Sequence, residues 1–164
     1  MIRRVLDRLF DHEDLPFGRR WRLAGRHTNP WTIPGWIRFP WPFGGMVFLH
    51  HMVRADLDRD LHDHPWSFLS VILKGGYCEY VKRGDKIVPV FNRPGKAILR
   101  TAEHLHRVSY LPNGTAWTLV FTGPKRRKWG FQVGALWVDH VNYRKIQLRK
   151  SDPLASFIRE GQSS

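Results

Sequence analysis

The sequence of 164 residues contains a single cysteine, Cys78. One thiol cannot form a disulfide within the chain, which excludes an internal disulfide framework and is compatible with a reducing compartment. No apolar run approaches the roughly 20 residues that a membrane-spanning helix needs. The basic N-terminal segment is interrupted by acidic residues, and no signal-type apolar core follows it. We therefore expect a soluble, cytoplasmic protein without a membrane partner.

Acidic residues are scarce, because 14 Asp and Glu stand against 27 Lys and Arg, and the formal net charge is +13. This balance favours anionic partners through long-range attraction. The densest basic cluster is Lys125–Lys128, within the sequence PKRRKWGF. It could grip a nucleic-acid backbone with Trp129 as a stacking ring, or form a charged loop that attracts an anionic metabolite. We favour the loop, because no recognised nucleic-acid motif accompanies the cluster.

Helical periodicity is also rare, and there is no internal repeat. Residues 2–10 place apolar side chains at helical spacing, which predicts a short amphipathic helix. The segment His27–Gly45 carries four prolines and three tryptophans, which predicts an extended, turn-rich covering segment. We predict one structural domain: an N-terminal extension over residues 1–45, packed on a β-barrel over 46–150. A C-terminal tail over 151–164 follows, with at most one turn of helix.

From Met46 onward the pattern is that of β-strands. Eight short runs rich in β-branched and aromatic residues are separated by turn signals such as KGG, KRGDK, NRPG and LPNG. No helical pattern intervenes between them. The sequence therefore predicts an all-β fold, an antiparallel sandwich or barrel.

Two histidine pairs enter predicted strands. In LHDHPWSFLSVILKGGYCEY, His62 and His64 are separated by one residue, and His104 and His106 repeat this spacing further along the chain. Side chains at positions i and i+2 share one face of a strand, so each pair can converge on one ion. Because neutral imidazole is the commonest metal ligand, two such pairs in one small domain favour a metal site.

The first pair resembles the first motif of the cupin superfamily, which has the form G(x5)HxH(x3–4)E(x6)G. His62 and His64 match its histidines, and Gly75 or Gly76 matches its final glycine. The glutamate of the motif falls at Phe68 or Leu69, so the usual carboxylate ligand is missing. The resemblance covers roughly residues 46–122 and implies an antiparallel cupin-type β-barrel, or jelly roll.

The second motif of the same superfamily has the form G(x5)PxG(x2)H(x3)N. Gly95 and His106 fit its spacing, so the resemblance nominates His106, rather than His104, as the third metal ligand. His104 remains as a fourth ligand, a substrate contact or a catalytic acid/base. The remaining three-histidine site is similar to that of the thiol dioxygenase branch. The chain also resembles a group of small, uncharacterised cupin-like proteins of bacteria and phages, which implies no particular reaction.

Three neutral ligands do not reduce the charge of a divalent ion. They also leave some of its coordination positions open. That arrangement suits iron with O₂ and a chelating substrate, or zinc that activates water. We favour Fe(II), with Zn, Ni and Mn as alternatives, and a non-haem iron dioxygenase or other oxygenase acting on a small anionic molecule. Two other functions stay open: a non-catalytic or isomerase-like cupin that binds a sugar or nucleotide sugar, and a basic nucleic-acid-binding module.

Several residues are candidates for lining a substrate site. Arg54 and Arg100 could clamp a carboxylate or phosphate, because a guanidinium binds such groups bidentately. Trp66 and Phe68 continue the face of the ligand histidines and could form an aromatic pocket floor. Of the neighbours at positions 50 and 51 only one can face inward, and we include His51 among the candidates. An exposed strand edge would also allow a homodimer.

Overall fold

The computed structural model describes residues 2–9, 11–15, 18–24 and 45–151. Within them, two antiparallel six-stranded sheets pack face to face as a cupin-type jelly roll, accompanied by two short helices. The predicted fold class is thus confirmed. In chain order the elements are α1 (Ile2–Leu9), β1 (Asp11–Leu15), β2 (Gly18–Ala24), β3 (Val47–Met52), β4 (Leu61–His62), β5 (Phe68–Lys74), β6 (Tyr77–Arg83), β7 (Lys86–Asn92), β8 (Ala97–Arg100), β9 (His106–Tyr110), β10 (Ala116–Thr122), β11 (Gly130–Val133), β12 (Leu136–Asp139) and α2 (His140–Ser151).

The strand order sets which residues share the interior. The first sheet has the order β1-β2-β3-β10-β5-β8, and the second has the order β12-β11-β4-β9-β6-β7. In β10 every second residue is buried, from Ala116 through Thr122, as expected for a strand with one face on the core. The same alternation in β5 and β6 directs Phe68, Ser70 and Ile72 from one sheet towards Tyr77 and Glu79 from the other.

Two groups of buried apolar side chains hold the sheets together. One includes Ile72 and Ala116, both with no exposed surface, and the other consists of Phe48, Phe68 and Val120. Members of both groups form walls of a single cavity between the sheets. The core side chains therefore line the cavity that contains the candidate site.

The strands outnumber the eight that the sequence predicted. The run FQVGALWV forms two strands, β11 and β12, joined by a turn at Gly134–Ala135. The segment before β5 contains the short strand β4, which pairs with both β9 and β11. Hairpin β1–β2 was not predicted, because charged residues dominate it and obscure a period of two.

The N-terminal hairpin is an integral part of the first sheet, since β2 pairs with β3 along its length. Trp21 of β2 is fully buried, stacks on Trp117 at 5.6 Å between ring centroids, and donates a hydrogen bond to Asp7 of α1 at 2.8 Å. These contacts join the predicted N-terminal helix to the sheet. The prediction for His27–Gly45 lies outside the described residues apart from Gly45, as does that for the tail beyond Ser151.

The C-terminal helix α2 was not predicted, because residues 140–150 were assigned to the barrel from the sequence. Asp139 caps it, because its carboxylate accepts hydrogen bonds from the backbone N–H groups of Val141 (3.1 Å) and Asn142 (3.2 Å). Tyr143 of α2 stacks on Phe131 of β11 at 3.8 Å between centroids. None of the described helices is long and apolar enough to cross a lipid bilayer.

Candidate metal centre

Three histidines meet at one end of the cavity. His62 of β4 lies directly opposite His106 of β9 in the antiparallel pair, and His64 follows two residues later on the same side. One ligand nitrogen from each lies within 4.8 Å of the other two. His64 Nε2 and His106 Nε2 are only 2.8 Å apart. The structure therefore brings together the three histidines that were predicted as metal ligands.

The charge state of these rings suits metal binding. Burial, followed by repulsion from His106, His62 and Arg100, holds the pKa of His64 well below its ordinary value. Burial also lowers the pKa of His106 strongly, with further contributions from His62 and Arg100. Both imidazoles are therefore neutral near pH 7, and a neutral ring has one nitrogen lone pair to offer an ion.

A buried carboxylate stands behind His106. Glu79 of β6 has no exposed surface, and its Oε2 lies 2.9 Å from His106 Nδ1. Its Oε1 accepts hydrogen bonds from Arg100 Nη2 and from Asn92 Nδ2, the latter at 2.6 Å. A β-bulge between Cys78 and Glu79 shifts the β6–β9 register at this point. Such a bulge re-aims side chains, here next to the metal-ligand candidate on β9.

A second carboxylate lies near His62. Asp56 Oδ2 is 4.0 Å from His62 Nδ1 and accepts a hydrogen bond from the backbone N–H of Val108 at 2.8 Å. Burial raises the pKa of Asp56, although the charge of His62 opposes this shift. Asp56 is also part of the cavity wall. It contributes negative charge near the ligand set, outside the three-histidine cluster itself.

Asp63, between the two ligand histidines of the first pair, points away from the cavity. It accepts hydrogen bonds from the backbone N–H of Gly130 at 2.7 Å and from Trp137 Nε1 at 2.8 Å. Arg127 Nη1 lies 3.0 Å from the same carboxylate. Asp63 therefore fastens the ligand segment to the β11–β12 hairpin and to the basic loop that precedes it.

The cavity has a volume of about 120 Å³ and is lined from both sheets. The three histidines form one part of its wall, with Trp66 and Phe68 beside them. Arg20 and His50, from β2 and β3, contribute to the wall as well. The cavity is thus lined by imidazole rings, aromatic rings, two arginines and the carboxyl group of Asp56.

The other predicted substrate residues differ in whether they line the cavity. Arg100 lines the cavity, but its two terminal nitrogens face Glu79 and His106. Arg54 is exposed and does not line the cavity. His51 also lies outside the cavity wall, since it stacks on Trp117 at 4.2 Å and bonds to Thr115, whereas its neighbour at position 50 lines the wall. Alternation along β3 is the physical reason.

His104 lies beside the ligand set rather than in the cavity wall. Its ring centroid is 5.8 Å from that of His106. Burial, and then the charge of Arg100, lowers its pKa. The roles proposed for His104, as catalytic acid/base or fourth ligand, stay predictions.

The basic cluster Lys125–Lys128 lies next to the ligand segment. The backbone N–H groups of Arg126 and Arg127 both point to the carbonyl of Pro65, at 2.8 and 3.4 Å. Trp129 approaches His62 at 6.3 Å between ring centroids and stacks on His140 of α2 at 4.7 Å. The loop thus runs close to the metal-ligand candidates, while the side chains of Lys125, Arg126 and Lys128 are exposed.

Sequence reasoning missed Glu79, Arg20 and the cavity role of His50. Glu79 could have been noticed, because a glutamate alternates with Tyr77 and Val81 on the buried face of GYCEYV. Arg20 could not, because its strand was not predicted. The position of Glu79 restores a carboxylate to the site, but behind a histidine rather than among the ligands.

The residues present fit a divalent metal ion. The donor set consists of imidazole nitrogens, and the 2.8 Å gap between His64 Nε2 and His106 Nε2 is a distance at which two lone pairs repel unless a proton or a cation lies between them. Carboxylates behind metal-bound histidines are the usual outer partners of such sites. His62, His64 and His106 are the residues that would hold the ion.

Comparisons with known proteins find similarity in fold but not in sequence. No protein-family model matches the sequence, and no curated protein matches it significantly. Among solved structures, a protein from Ralstonia eutropha JMP134 provisionally named a mannose-6-phosphate isomerase matches with a TM-score of 0.44 and 20% identity, over 49% of this chain and 75% of that one. A structure of DMSP lyases matches with a TM-score of 0.48 and 16% identity, over 70% of this chain. Hydroxypropylphosphonic acid epoxidase from S. wedmorenis matches with a TM-score of 0.40 and 10% identity, over 48% of this chain.

The matched part spans 52% of the lyase chain and 42% of the epoxidase chain. Identities this low carry no activity or substrate from these proteins to this chain. The two antiparallel sheets and the positions of the histidines are observed directly in the structure of this chain and do not depend on these comparisons. By its jelly roll of two six-stranded sheets, with paired histidines at the cavity wall, the chain is cupin-like in fold.

Proposed function

We propose that this chain is a metalloprotein in which His62, His64 and His106 hold one divalent ion, with Fe(II) favoured, and that it performs oxygenase-type chemistry on a small anionic molecule. One observation carries the proposal: three imidazoles from two chain segments converge on the wall of a cavity between the two sheets. Two of them are kept neutral by burial. Core histidines that serve packing alone have no reason to direct their ring nitrogens at one another.

The ligand type favours a reactive rather than a purely structural ion. Structural zinc sites are typically closed by four protein ligands, whereas three protein ligands leave positions open for substrate or water. With neutral ligands the ion keeps its full double charge. When bound, Fe(II) would supply Lewis acidity and the capacity to react with O₂.

The charge of the cavity wall supports an anionic substrate. Arg20 lines the cavity, and its guanidinium lies 4.7 Å from the centre of the Phe48 ring. Its Nη1 pairs with Glu13 at 2.9 Å, but that carboxylate is 53% exposed and hence well solvated. Arg100 is already engaged by Glu79, so its charge is compensated inside the protein. Arg20 is therefore the arginine that an anion in the cavity would meet.

The size of the cavity favours a small substrate over a nucleotide sugar. Its volume of about 120 Å³ is well below the roughly 300–1,000 Å³ of pockets that enclose drug-sized ligands. The rings of Trp66 and Phe68 exclude water from part of the wall. A compact carboxylate or phosphate bound there could reach both the ion and Arg20.

Metal titration of the purified protein tests the proposal. We expect calorimetry under anaerobic, reducing conditions to show one Fe(II) per chain. His62→Ala, His64→Ala and His106→Ala should each abolish tight binding. His51→Ala is the matched control, because this histidine lies outside the cavity wall and should leave binding unchanged. A wild-type protein that binds no divalent transition metal would refute the proposal.

The anionic substrate is tested separately on the metal-loaded protein. A panel of small carboxylates and phosphates should include compounds that stabilise it in thermal unfolding and stimulate O₂ consumption. Arg20→Gln should weaken the response to these anions about tenfold or more, because a charge-assisted contact is worth about 1.5–3 kcal/mol. Arg54→Gln, at an exposed position, should not. Equal responses of both variants would remove Arg20 from the account, and a response to neutral sugars alone would favour the carbohydrate-binding alternative.

A further inference from the structure

We propose that Glu79 is a positioning residue that holds His106 in the tautomer with a proton on Nδ1, and thereby reserves Nε2 for the metal. Its consequence for metal affinity rests on the proposed function. The tautomer itself is a property of the protein without metal and can be measured there. The inference assigns a role to the buried network behind the ligand set.

The geometry around Glu79 leaves one oxygen for His106. Arg100 Nη2 and Asn92 Nδ2 both donate to Oε1. Oε2 faces His106 Nδ1 at 2.9 Å. The Glu79 side chain is 1% exposed, so water is not an alternative partner for this oxygen.

Two donor arrangements compete at His106 Nδ1. Either Nδ1 carries a proton and donates it to Glu79, or Nδ1 is bare and accepts from Arg100 Nη1, which lies 2.9 Å away. In the second arrangement a nitrogen lone pair would face the Glu79 carboxylate at hydrogen-bonding distance, with both groups buried. A carboxylate can only accept, whereas Arg100 already donates to Glu79 through Nη2. The first arrangement is therefore favoured, because a buried, unpaired carboxylate oxygen costs more than one unused N–H of an arginine.

The outer members of the network keep Glu79 in place. Lys96 Nζ donates to Asn92 Oδ1 at 2.9 Å, which orients the amide so that Nδ2 faces Glu79. Asn92, like Glu79, has no exposed surface. A chain of hydrogen bonds thus runs from Lys96 through the interior to the metal-ligand candidate. At the other side of the ring, a bare Nε2 accepts a hydrogen bond from His64 Nε2 in the absence of metal, consistent with their 2.8 Å separation.

This reasoning makes Glu79→Gln an informative substitution. The two donors at Oε1 require the glutamine carbonyl oxygen to occupy that position, which turns the amide NH₂ towards His106 Nδ1. The amide then donates where the carboxylate accepted, so Nδ1 must be bare and the proton moves to Nε2. The substitution keeps size and shape but reverses the tautomer, and a protonated Nε2 cannot bind an ion.

Long-range ¹H–¹⁵N NMR of histidine-labelled, metal-free protein reads the tautomer directly. We expect the wild type to carry the His106 proton on Nδ1 and Glu79→Gln to carry it on Nε2. Calorimetric titration with Zn²⁺ or Fe(II) should then show affinity reduced about 10–100-fold, the usual effect of losing such an outer partner. Glu103→Gln is the control, because this glutamate is exposed and should change neither tautomer nor affinity.

A wild-type protein with the proton on Nε2 of His106 would overturn the assignment, even if the Glu79→Gln protein failed to fold. An unchanged tautomer together with unchanged affinity in Glu79→Gln would also overturn it. If the wild type binds no metal but the tautomer reverses as expected, the proposed function fails and the role of Glu79 in orienting the ring stands. If the wild type binds metal but the His106 tautomer does not depend on Glu79, the proposed function stands and the role assigned to Glu79 fails.

Discussion

Removing the Asp63 carboxylate should loosen the attachment of the ligand segment to the second sheet. Asp63 is 1% exposed and accepts hydrogen bonds from Gly130 and Trp137 while Arg127 pairs with it. Asp63→Ala would leave these three donors without their acceptor. The donors differ in how well water can replace the carboxylate, and this difference sets the expected size of the effect.

The backbone N–H of Gly130 lies in a buried contact, so its loss should cost the full value of a hydrogen bond to a charged group, about 1.5–3 kcal/mol. Trp137 is 41% exposed and the Arg127 side chain 29%, so both regain water and add little. We therefore expect Asp63→Ala to lower the free energy of unfolding by about 2–4 kcal/mol. For a chain of this length that corresponds to a decrease in Tm of roughly 4–16 °C. Asp63→Asn should cost less, because its carbonyl can still accept from Gly130.

Urea and thermal unfolding of the metal-free proteins measure these changes, with Asp85→Ala as a control for removing an exposed carboxylate. Hydrogen exchange should speed up at Gly130 before it does in the centre of β5. A loss below about 1 kcal/mol for Asp63→Ala would contradict the reasoning, as would an equal loss in the Asp85→Ala control.

Further predictions concern pH and two glycines. Burial, and then the charge of Arg20, holds the pKa of His50 well below its ordinary value, so the unfolded chain binds this proton first and stability is lost as pH falls below about 6.5. His50→Gln should reduce the slope of unfolding free energy against pH, measured by urea titrations below pH 6.5, by about 1.4 kcal/mol per pH unit; an unchanged slope would argue against a buried neutral histidine. Gly75 and Gly84 both have positive φ (85° and 59°), but only at Gly75 would an added Cβ meet backbone, the Thr115 carbonyl oxygen at 1.9 Å. Gly84→Ala should therefore cost about 1–2 kcal/mol of strain and Gly75→Ala about 1–3 kcal/mol more, and equal losses in Tm would contradict the close approach of Gly75 to the Thr115 backbone.

The site could be predicted where its residues follow strand alternation. His62, His64, Trp66 and Phe68 all line one cavity, as the period of two required, even though β4 ends at His62 and regular pairing resumes only at Phe68. The chain bends at Pro65 and Trp66 as it passes from the second sheet to the first, and side chains on both sides of this bend line the cavity between the sheets. The same rule shows that only one of the two neighbouring histidines of β3 can face inward, but it gives no direction, because both faces of that strand carry apolar residues.

Other features depend on contacts between distant segments and could not be predicted from local patterns. Glu79 and His106 meet across two strands whose register is shifted by a bulge, and nothing in either strand specifies that shift. Arg20 reaches the cavity only because β2 pairs with β3 across a long intervening segment. Arg100 lines the cavity as predicted, but its pairing with the buried Glu79 comes from another strand and could not be read from the sequence around it.

The start of helix α2 has a local sequence signal, a capping residue, but the β-rich run before it favours a strand. Asp139 is a good capping residue, yet it directly follows the β-rich run that ends in LWVD, so the run was assigned to a strand alone. Packing of Tyr143 on Phe131 then stabilises the helix through a contact that its own sequence does not reveal. Tertiary contacts thus decide elements whose local preference is weak.

The central claim is that His62, His64 and His106 hold one divalent ion. The most direct test is a crystal structure of protein purified with Fe(II), with anomalous scattering recorded on both sides of the iron absorption edge. We predict a single anomalous peak within bonding distance of a ring nitrogen from each of the three histidines, with His106 bound through Nε2 and its Nδ1 still facing Glu79. A crystal grown with metal in which the three rings contact only one another or water, with no anomalous peak between them, would contradict the account.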